Sequence, residues 1–155
     1  MENKVLMSIM TKYSNKIFNG TKLWEFRKNL PNMLEEEKST VVVYSSKEEK
    51  AIVGEFKVGR ILKCSFHELM KITGCEDDEK AVNWFKQYYK DKELCCAIEV
   101  KEPFRYNTQI SLREIQKEIP NFRAPQNFLY MIDGGDLDKI LSVYMKRGDK
   151  HVKNC

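Results

Sequence analysis

Residues 19–28, NGTKLWEFRK, place a turn, cationic side chains, one carboxylate and two aromatic rings within one short stretch. Gly20 can adopt the left-handed conformation that commonly ends a helix, so a short helix is predicted before it. The aromatic-rich residues 23–27 indicate a strand that leaves the turn. The stretch therefore predicts a helix-to-strand corner, a rigid place where binding and catalytic groups are often displayed.

The predicted strand alternates apolar and charged side chains. Trp24 and Phe26 fall on one face, and Glu25 and Arg27 fall on the other, because successive strand residues point to opposite sides of a sheet. We expect the aromatic face to join the core and the charged face to contact water. Lys22 begins the strand and belongs to the same corner.

Composition is that of a globular domain. The chain has 155 residues, of which 42% are hydrophobic, and it contains no apolar run long enough to span a membrane. Residues 1–10 resemble a short buried strand and are followed by no signal-peptide cleavage site. We therefore expect one domain over residues 1–155, no membrane association and an intracellular, cytoplasmic location.

The cysteines do not form a metal-binding or disulfide pattern. There are five of them, with no C-x-x-C pair and no histidine at zinc-ligand spacing. Free thiols in a reducing compartment fit this pattern, and we expect neither a metal ion nor a cofactor.

Positive charge is concentrated near the N-terminus. Residues 1–34 hold six Lys or Arg against two acidic residues, a surplus equal to the net charge of +4 of the whole chain. This field would suit an anionic partner, although a basic face that only contacts water is the alternative interpretation.

The rest of the chain predicts several strands interrupted by helices. Strands are indicated at residues 5–9, 40–44, 51–62 and 94–100, with Gly54 marking a bulge or a close approach of another group. Long connections separate these strands. The pattern favours an α+β domain built on a small, mostly antiparallel β-barrel with peripheral helices.

Two regions of the chain predict amphipathic helices outside that barrel. One is a helical insert at about residues 65–92, opened by the capping-box pair Ser65 and Glu68, and the other is a helical, basic C-terminal extension from about residue 134. Each carries an apolar stripe that we expect to be core: Ala81, Trp84, Phe85, Tyr88 and Tyr89 in the insert, and Leu137, Ile140, Leu141, Tyr144 and Met145 in the extension. An aromatic stacking platform is the alternative for the first stripe.

Two further segments offer polar groups to a ligand. Tyr44 and Ser46 stand at the end of the strand VVVYSS, where Tyr44 is positioned to stack on a base. In APQNFLYM, Pro125 fits the first position of a helix and leaves Gln126 and Asn127 in a first turn with free amide donors.

The spacing G-x-K-x-x-E-x-R, formed by Gly20, Lys22, Glu25 and Arg27, resembles the signature of the ASCH domain family in the PUA-like superfamily. The lead-in VLMSIMTKYSNKIFNG, the run VVVYSS and the following AIVGEFKV are similar to ASCH segments in the same order. The resemblance covers residues 5–62 well and residues 94–131 loosely. It implies an RNA or nucleotide site in a cleft between the barrel and the first helix, or hydrolysis of acylated nucleosides or RNA.

Our first hypothesis is a binding module that holds RNA or a nucleotide-like ligand in a cationic cleft. The candidate ligand-binding residues are Lys12, Lys22, Glu25, Arg27, Tyr44, Ser46, Gln126 and Asn127. A local ion pair between Glu25 and Arg27 that only fixes the corner is an equal alternative.

Two other functions stay open. In a hydrolase, Glu25 would activate water and Lys22 or Arg27 would stabilise the oxyanion, or a desolvated Lys22 would itself be the base. Amidohydrolase relatives often carry a hydroxyl residue in place of Glu25, which speaks against that activity. A protein-interaction adaptor would instead use the aromatic insert, with an exposed Trp84.

Overall fold

The computed structural model describes residues 3–153 and the side chains of residues 3–145; the side chains of the predicted basic tail from residue 146 and the thiol of Cys155 lie outside this part. The elements follow one another as β1 (Asn3–Met10), α1 (Thr11–Phe18), β2 (Trp24–Arg27), β3 (Ser39–Ser46), β4 (Ala51–Cys64), α2 (Phe66–Ile72), α3 (Glu79–Tyr89), β5 (Cys95–Ser111), α4 (Leu112–Glu118), β6 (Phe128–Met131) and α5 (Asp136–Lys153).

The strands form one six-stranded sheet in the order β2-β5-β4-β3-β1-β6. The β1–β3 pair is parallel and the other four pairs are antiparallel. The predicted α+β class with mostly antiparallel strands is thus confirmed. In the described residues, however, the edge strands β2 and β6 do not pair with each other, so the sheet is not a fully closed barrel.

Strand alternation divides the interior into two layers. On β1, Val5, Met7 and Ile9 pack into the cluster on one face of the sheet, while Leu6 packs into the cluster on the other. The second cluster is covered by α4 and α5. A third cluster lies beneath α2 and α3, around Tyr89.

The long strands bend around irregularities in their pairing. The register between β4 and β5 shifts three times, and that between β3 and β4 shifts once, at Val43 and Tyr44. Gly54 lies at one of these shifts, where an added Cβ would be 2.6 Å from the Phe18 ring and would also meet the Phe104 carbonyl oxygen. The predicted close approach at Gly54 is therefore confirmed, and only a residue without a side chain fits there.

The segment from Ala124 to Met131 corrects our sequence prediction. It does not begin a helix at Pro125, because Phe128–Met131 is strand β6, paired with β1. Ser8 supplies further partners: its amide donates to the Asn127 carbonyl at 3.1 Å, and its hydroxyl donates to the Pro125 carbonyl at 2.5 Å. Pairing with the open edge of β1 overrides the local helical signal.

The predicted N-terminal caps of two helices are confirmed. The Ser65 hydroxyl caps α2 by accepting from the Glu68 amide, and the Ser111 hydroxyl caps α4 by accepting from the Glu114 amide. No described helix is long and apolar enough to cross a bilayer.

Candidate functional site

The backbone of the corner is built as its sequence predicts. The helix α1 ends before Gly20, whose φ of +84° needs a residue tolerant of the left-handed region. Strand β2 then runs antiparallel to β5 at the edge of the sheet, with Glu25 opposite Ile98. This anchorage fixes the backbone that carries Lys22, Glu25 and Arg27.

The three charged residues of the corner form an ion-paired group around a buried carboxylate, which we call the charged floor (Lys22, Glu25 and Arg27). Glu25 is only 6% exposed. Its Oε1 lies 3.3 Å from Lys22 Nζ, and its Oε2 lies 2.9 Å from Arg27 Nε, whose N–H is not aligned for a hydrogen bond. The expectation that Glu25 faces water is therefore wrong. A carboxylate can be buried here because a cation stands at each of its oxygens.

Both cations of the charged floor are also held by backbone carbonyls. Lys22 Nζ donates to the Trp24 carbonyl at 2.5 Å, and Arg27 Nη2 donates to the Ser8 carbonyl at 2.6 Å. These bonds fix the positions of the cations before any ligand arrives, so they would lose little side-chain entropy on binding.

A cavity of about 710 Å³ opens above the charged floor. Its lining combines the floor with the end of β1, Lys12 and Tyr13 of α1, Ser46 and Lys47 after β3, and Gln126. The remaining side is formed by Ala81, Trp84, Phe85 and Tyr88 of α3. One concave site therefore collects charged, polar and aromatic side chains from distant parts of the chain.

Three rings of α3 form what we call the aromatic wall (Trp84, Phe85 and Tyr88). The Trp84 and Tyr88 rings stack 5.3 Å apart at 15°, and Phe85 meets the Trp84 ring edge-on at 5.1 Å. Phe85 also contacts Phe26 of β2 at 4.3 Å. The wall is thus joined directly to the strand that carries the charged floor.

Family comparison identifies this architecture. The model of the ASCH domain matches residues 7–104, a range that includes the charged floor and the aromatic wall. The chain belongs to the ASCH domain family. Among curated proteins, none matches the sequence.

Solved structures share the fold of this ASCH domain at low sequence identity. An ASCH protein from Zymomonas mobilis superposes with a TM-score of 0.75 at 19% identity, over 90% of this chain and 94% of that chain. A hypothetical protein from Leishmania major gives a TM-score of 0.58 at 16% identity, over 95% of this chain and 97% of that one. These matches show that the chain shares the fold of those proteins.

The cavity of this ASCH domain brings together six of the eight predicted ligand-binding residues: Lys12, Lys22, Glu25, Arg27, Ser46 and Gln126. The other two do not line it. Tyr44 is 2% exposed and packs in the cluster beneath α4 and α5, so it cannot stack on a base. Asn127 is exposed outside the lining, and its carbonyl is engaged by Ser8.

The expected core role of the insert stripe is correct in part, because Phe85 and Tyr88 are partly buried against the third cluster, but it is wrong for Trp84. Tyr89 is buried, whereas Trp84 is 50% exposed and borders the cavity. The helical periodicity was a sufficient signal for an aromatic face. It carried no information on whether protein or open space lies opposite that face.

Cysteine and metal chemistry gain no support from the described residues. Burial raises the pKa of the Cys64, Cys95 and Cys96 thiols, which keeps them protonated and weakly nucleophilic. No group of three potential metal-ligating His, Cys, Asp or Glu side chains occurs in the described part of the chain.

Proposed function

We propose that this ASCH domain binds RNA or a nucleotide-like ligand in the cavity above the charged floor. The observation that carries the proposal is the junction, within one cavity, of fixed cations with a wall of aromatic rings. Recognition of unpaired nucleotides commonly uses this combination, because cations attract the phosphate and flat rings stack on the base.

The size of the cavity fits a ligand of this class. Small-molecule sites commonly enclose roughly 300–1,000 Å³ and combine apolar surface with a few placed polar groups. A volume of about 710 Å³ lies within that range. A nucleotide can therefore be accommodated without a large change in the sheet or in α1.

Charge at the cavity favours an anion. Lys22 and Arg27 outnumber Glu25 in the floor, and Lys12 and Lys47 add positive charge to the lining. Lys12 also stands 5.0 Å from the Tyr13 ring. An aromatic ring beside a cation is a suitable neighbour for a phosphate and the base attached to it.

A salt titration of RNA binding tests this proposal. In the Lys12→Ala variant we expect weaker binding of single-stranded RNA. The slope of log K against log salt concentration should also be smaller in magnitude by about one, because one fewer counterion is released. Lys16→Ala is the matched control, because Lys16 is exposed on the same helix but outside the cavity lining. Equal effects of the two substitutions, or no RNA or nucleotide binding at low salt, would overturn the proposal.

Hydrolysis is a second candidate, favoured by the 3.3 Å approach of Lys22 Nζ to Glu25 within the cavity. Glu25 would take a proton from water, the resulting hydroxide would attack the acyl carbonyl, and a cation of the floor would stabilise the oxyanion. The C–N bond would then break as the intermediate collapses, and Glu25 would return its proton to the departing amine. Incubation with acylcytidines and with RNA tests this role. Turnover lost in Glu25→Gln would support it, whereas unchanged turnover would remove Glu25 from the mechanism.

The exposure of Trp84 has an explanation that needs no partner protein. An exposed Trp84 is the feature predicted for an adaptor, but its ring borders the cavity. Its exposure therefore supports the ligand-binding proposal at least as directly.

A further inference from the structure

Trp84 is held in a fixed orientation although half of its surface is exposed. Tyr88 covers one face of the indole at 5.3 Å, and Phe85 meets it edge-on at 5.1 Å. In the part of the chain that the structure describes, no second ring stacks on the indole. A large, oriented and incompletely covered aromatic ring at a cavity is well suited to receive another flat ring.

The helix α3, which carries the aromatic wall, is itself anchored to the sheet. Tyr89, the neighbour of Tyr88, is 1% exposed, and its hydroxyl donates to the Cys96 carbonyl at 2.6 Å. Lys28 Nζ lies 5.2 Å from the centre of the Tyr88 ring. These contacts tie α3 to β5 and to the residue that follows β2, so the wall has a defined position relative to the charged floor.

The aromatic wall and the charged floor are in direct contact, and this limits the kind of ligand that can bind to both. Phe26 contacts Phe85 of the wall at 4.3 Å and lies 5.1 Å from Lys22 Nζ of the floor. Lys22 Nζ is in turn 5.9 Å from the Tyr13 ring. A ligand that spans this path must present negative charge and a flat ring within a few ångströms of each other.

We propose that the aromatic wall is a specificity site that stacks one unpaired nucleobase, with Trp84 as the principal contact. The inference rests on the proposed function, because the charged floor and Lys12 would hold the phosphate of the same nucleotide. Stacking on the neighbouring base pairs hides both faces of a base within a duplex, so the wall selects single strands. Purines, with the larger ring area, bind more tightly than pyrimidines.

Two probes with equal charge separate stacking from attraction to phosphate. One is a short single-stranded oligoadenylate, and the other is an abasic phosphodiester chain of the same length. Trp84→Leu keeps an apolar side chain but removes the ring. We expect it to weaken oligoadenylate binding roughly five- to 150-fold, the range for the loss of one base stack, and to leave abasic-chain binding unchanged.

Tyr130→Leu is the matched control for loss of an exposed aromatic ring. Tyr130 is 46% exposed on β6 and does not line the cavity, so we expect neither probe to respond to this change. A second readout uses fluorescence. In a Trp24→Phe background Trp84 is the only tryptophan, and oligoadenylate should quench its emission whereas the abasic chain should not.

The outcomes distinguish this inference from the proposed function. If wild-type protein binds both probes and Trp84→Leu weakens them equally or not at all, the stacking role is wrong while anion binding stands. If wild-type protein binds neither probe at low salt, the proposed function and the stacking role both fail.

Discussion

The helices α3 and α5 carry apolar stripes of similar spacing, but the structure uses the two stripes differently. In α5, Ile140 and Leu141 are 8% and 3% exposed and close the cluster beneath it. In α3, Trp84 is 50% exposed and Tyr89 alone is fully buried. The stripe of α5 only completes a core, whereas the stripe of α3 packs on the third cluster through Tyr89 and also borders a cavity through Trp84. Similar periodicity thus serves stability in α5 and, in our proposal, both stability and binding in α3.

The largest expected effect tests the stabilising role of α5. Leu141→Ala should lower the free energy of unfolding by about 2–5 kcal/mol, because it leaves a cavity in a packed cluster. Urea unfolding measures the loss. Val143→Ala on the same helix is the control, since Val143 is 50% exposed and should change stability by about 0.5 kcal/mol or less. Equal losses in the two variants would contradict the packed role of α5.

The charged floor should give the next largest effect. Glu25 is the only carboxylate residue buried in the described part of the chain, and Glu25→Gln leaves the charges of Lys22 and Arg27 uncompensated. Because the cavity admits water, we expect a loss of about 2–3 kcal/mol, below that of a fully enclosed pair. The control is Glu35→Gln, whose partner Lys38 is 3.8 Å away and exposed. Both variants would be unfolded with a chemical denaturant. Equal losses of stability in Glu25→Gln and Glu35→Gln would show that the charged floor stabilises the protein no more than an exposed ion pair does.

A smaller effect on stability is expected at the aromatic wall. Trp84→Leu removes one stacked and one edge-on ring contact at a half-exposed position, so it should cost about 1 kcal/mol. Thermal or urea unfolding provides the measurement. A loss as large as that of Leu141→Ala would mean that Trp84 stabilises the protein as a core residue does, and the contrast between the helices would disappear.

The smallest effect concerns the contact between α4 and α5. The hydrogen bond from Lys117, the charge of Lys117 and the hydrogen bond from Tyr144 lower the pKa of Glu114. A pKa lowered by folding stabilises the protein above the unfolded-state pKa, and this contribution is lost as pH falls through the folded-state pKa. The pair is exposed, so the contribution is small.

The stabilisation from Glu114 is measured by comparing the melting temperatures of the wild-type protein and the Glu114→Gln variant as pH is lowered through the folded-state pKa of Glu114. The wild-type protein should melt at a higher temperature than the variant at neutral pH, and this difference should shrink as pH falls. An advantage that is constant or grows toward acid would contradict the assignment.

The backbone frame of the site could be predicted from sequence because local signals specify it. Gly20 permits the turn, Ser65 and Ser111 cap their helices through hydroxyl groups, and Gly54 marks a close approach. Each of these depends on the chemistry of one residue and its neighbours in the chain. The ASCH signature could be recognised for the same reason, because its four residues lie close together in the chain.

The contents of the cavity could not be predicted in full because they depend on distant contacts. Tyr44 follows three valines that are all completely buried, so alternation could not indicate that it faces the core beneath α4 and α5. Strand β6 forms because β1 offers it an edge, which the sequence of APQNFLYM does not reveal. The exposure of Trp84 likewise depends on the space between α3, α1 and β2.

Mapping of the bound ligand tests most directly whether the cavity bordered by α3 is the binding site. Amide chemical shifts of labelled protein would be followed by NMR during titration with a short single-stranded oligoadenylate. We predict changes at Lys12 and Tyr13, across residues 22–27 and across residues 81–88, with residues 137–141 unchanged. Changes centred on α4 and α5, with β2 and α3 unaffected, would contradict the account.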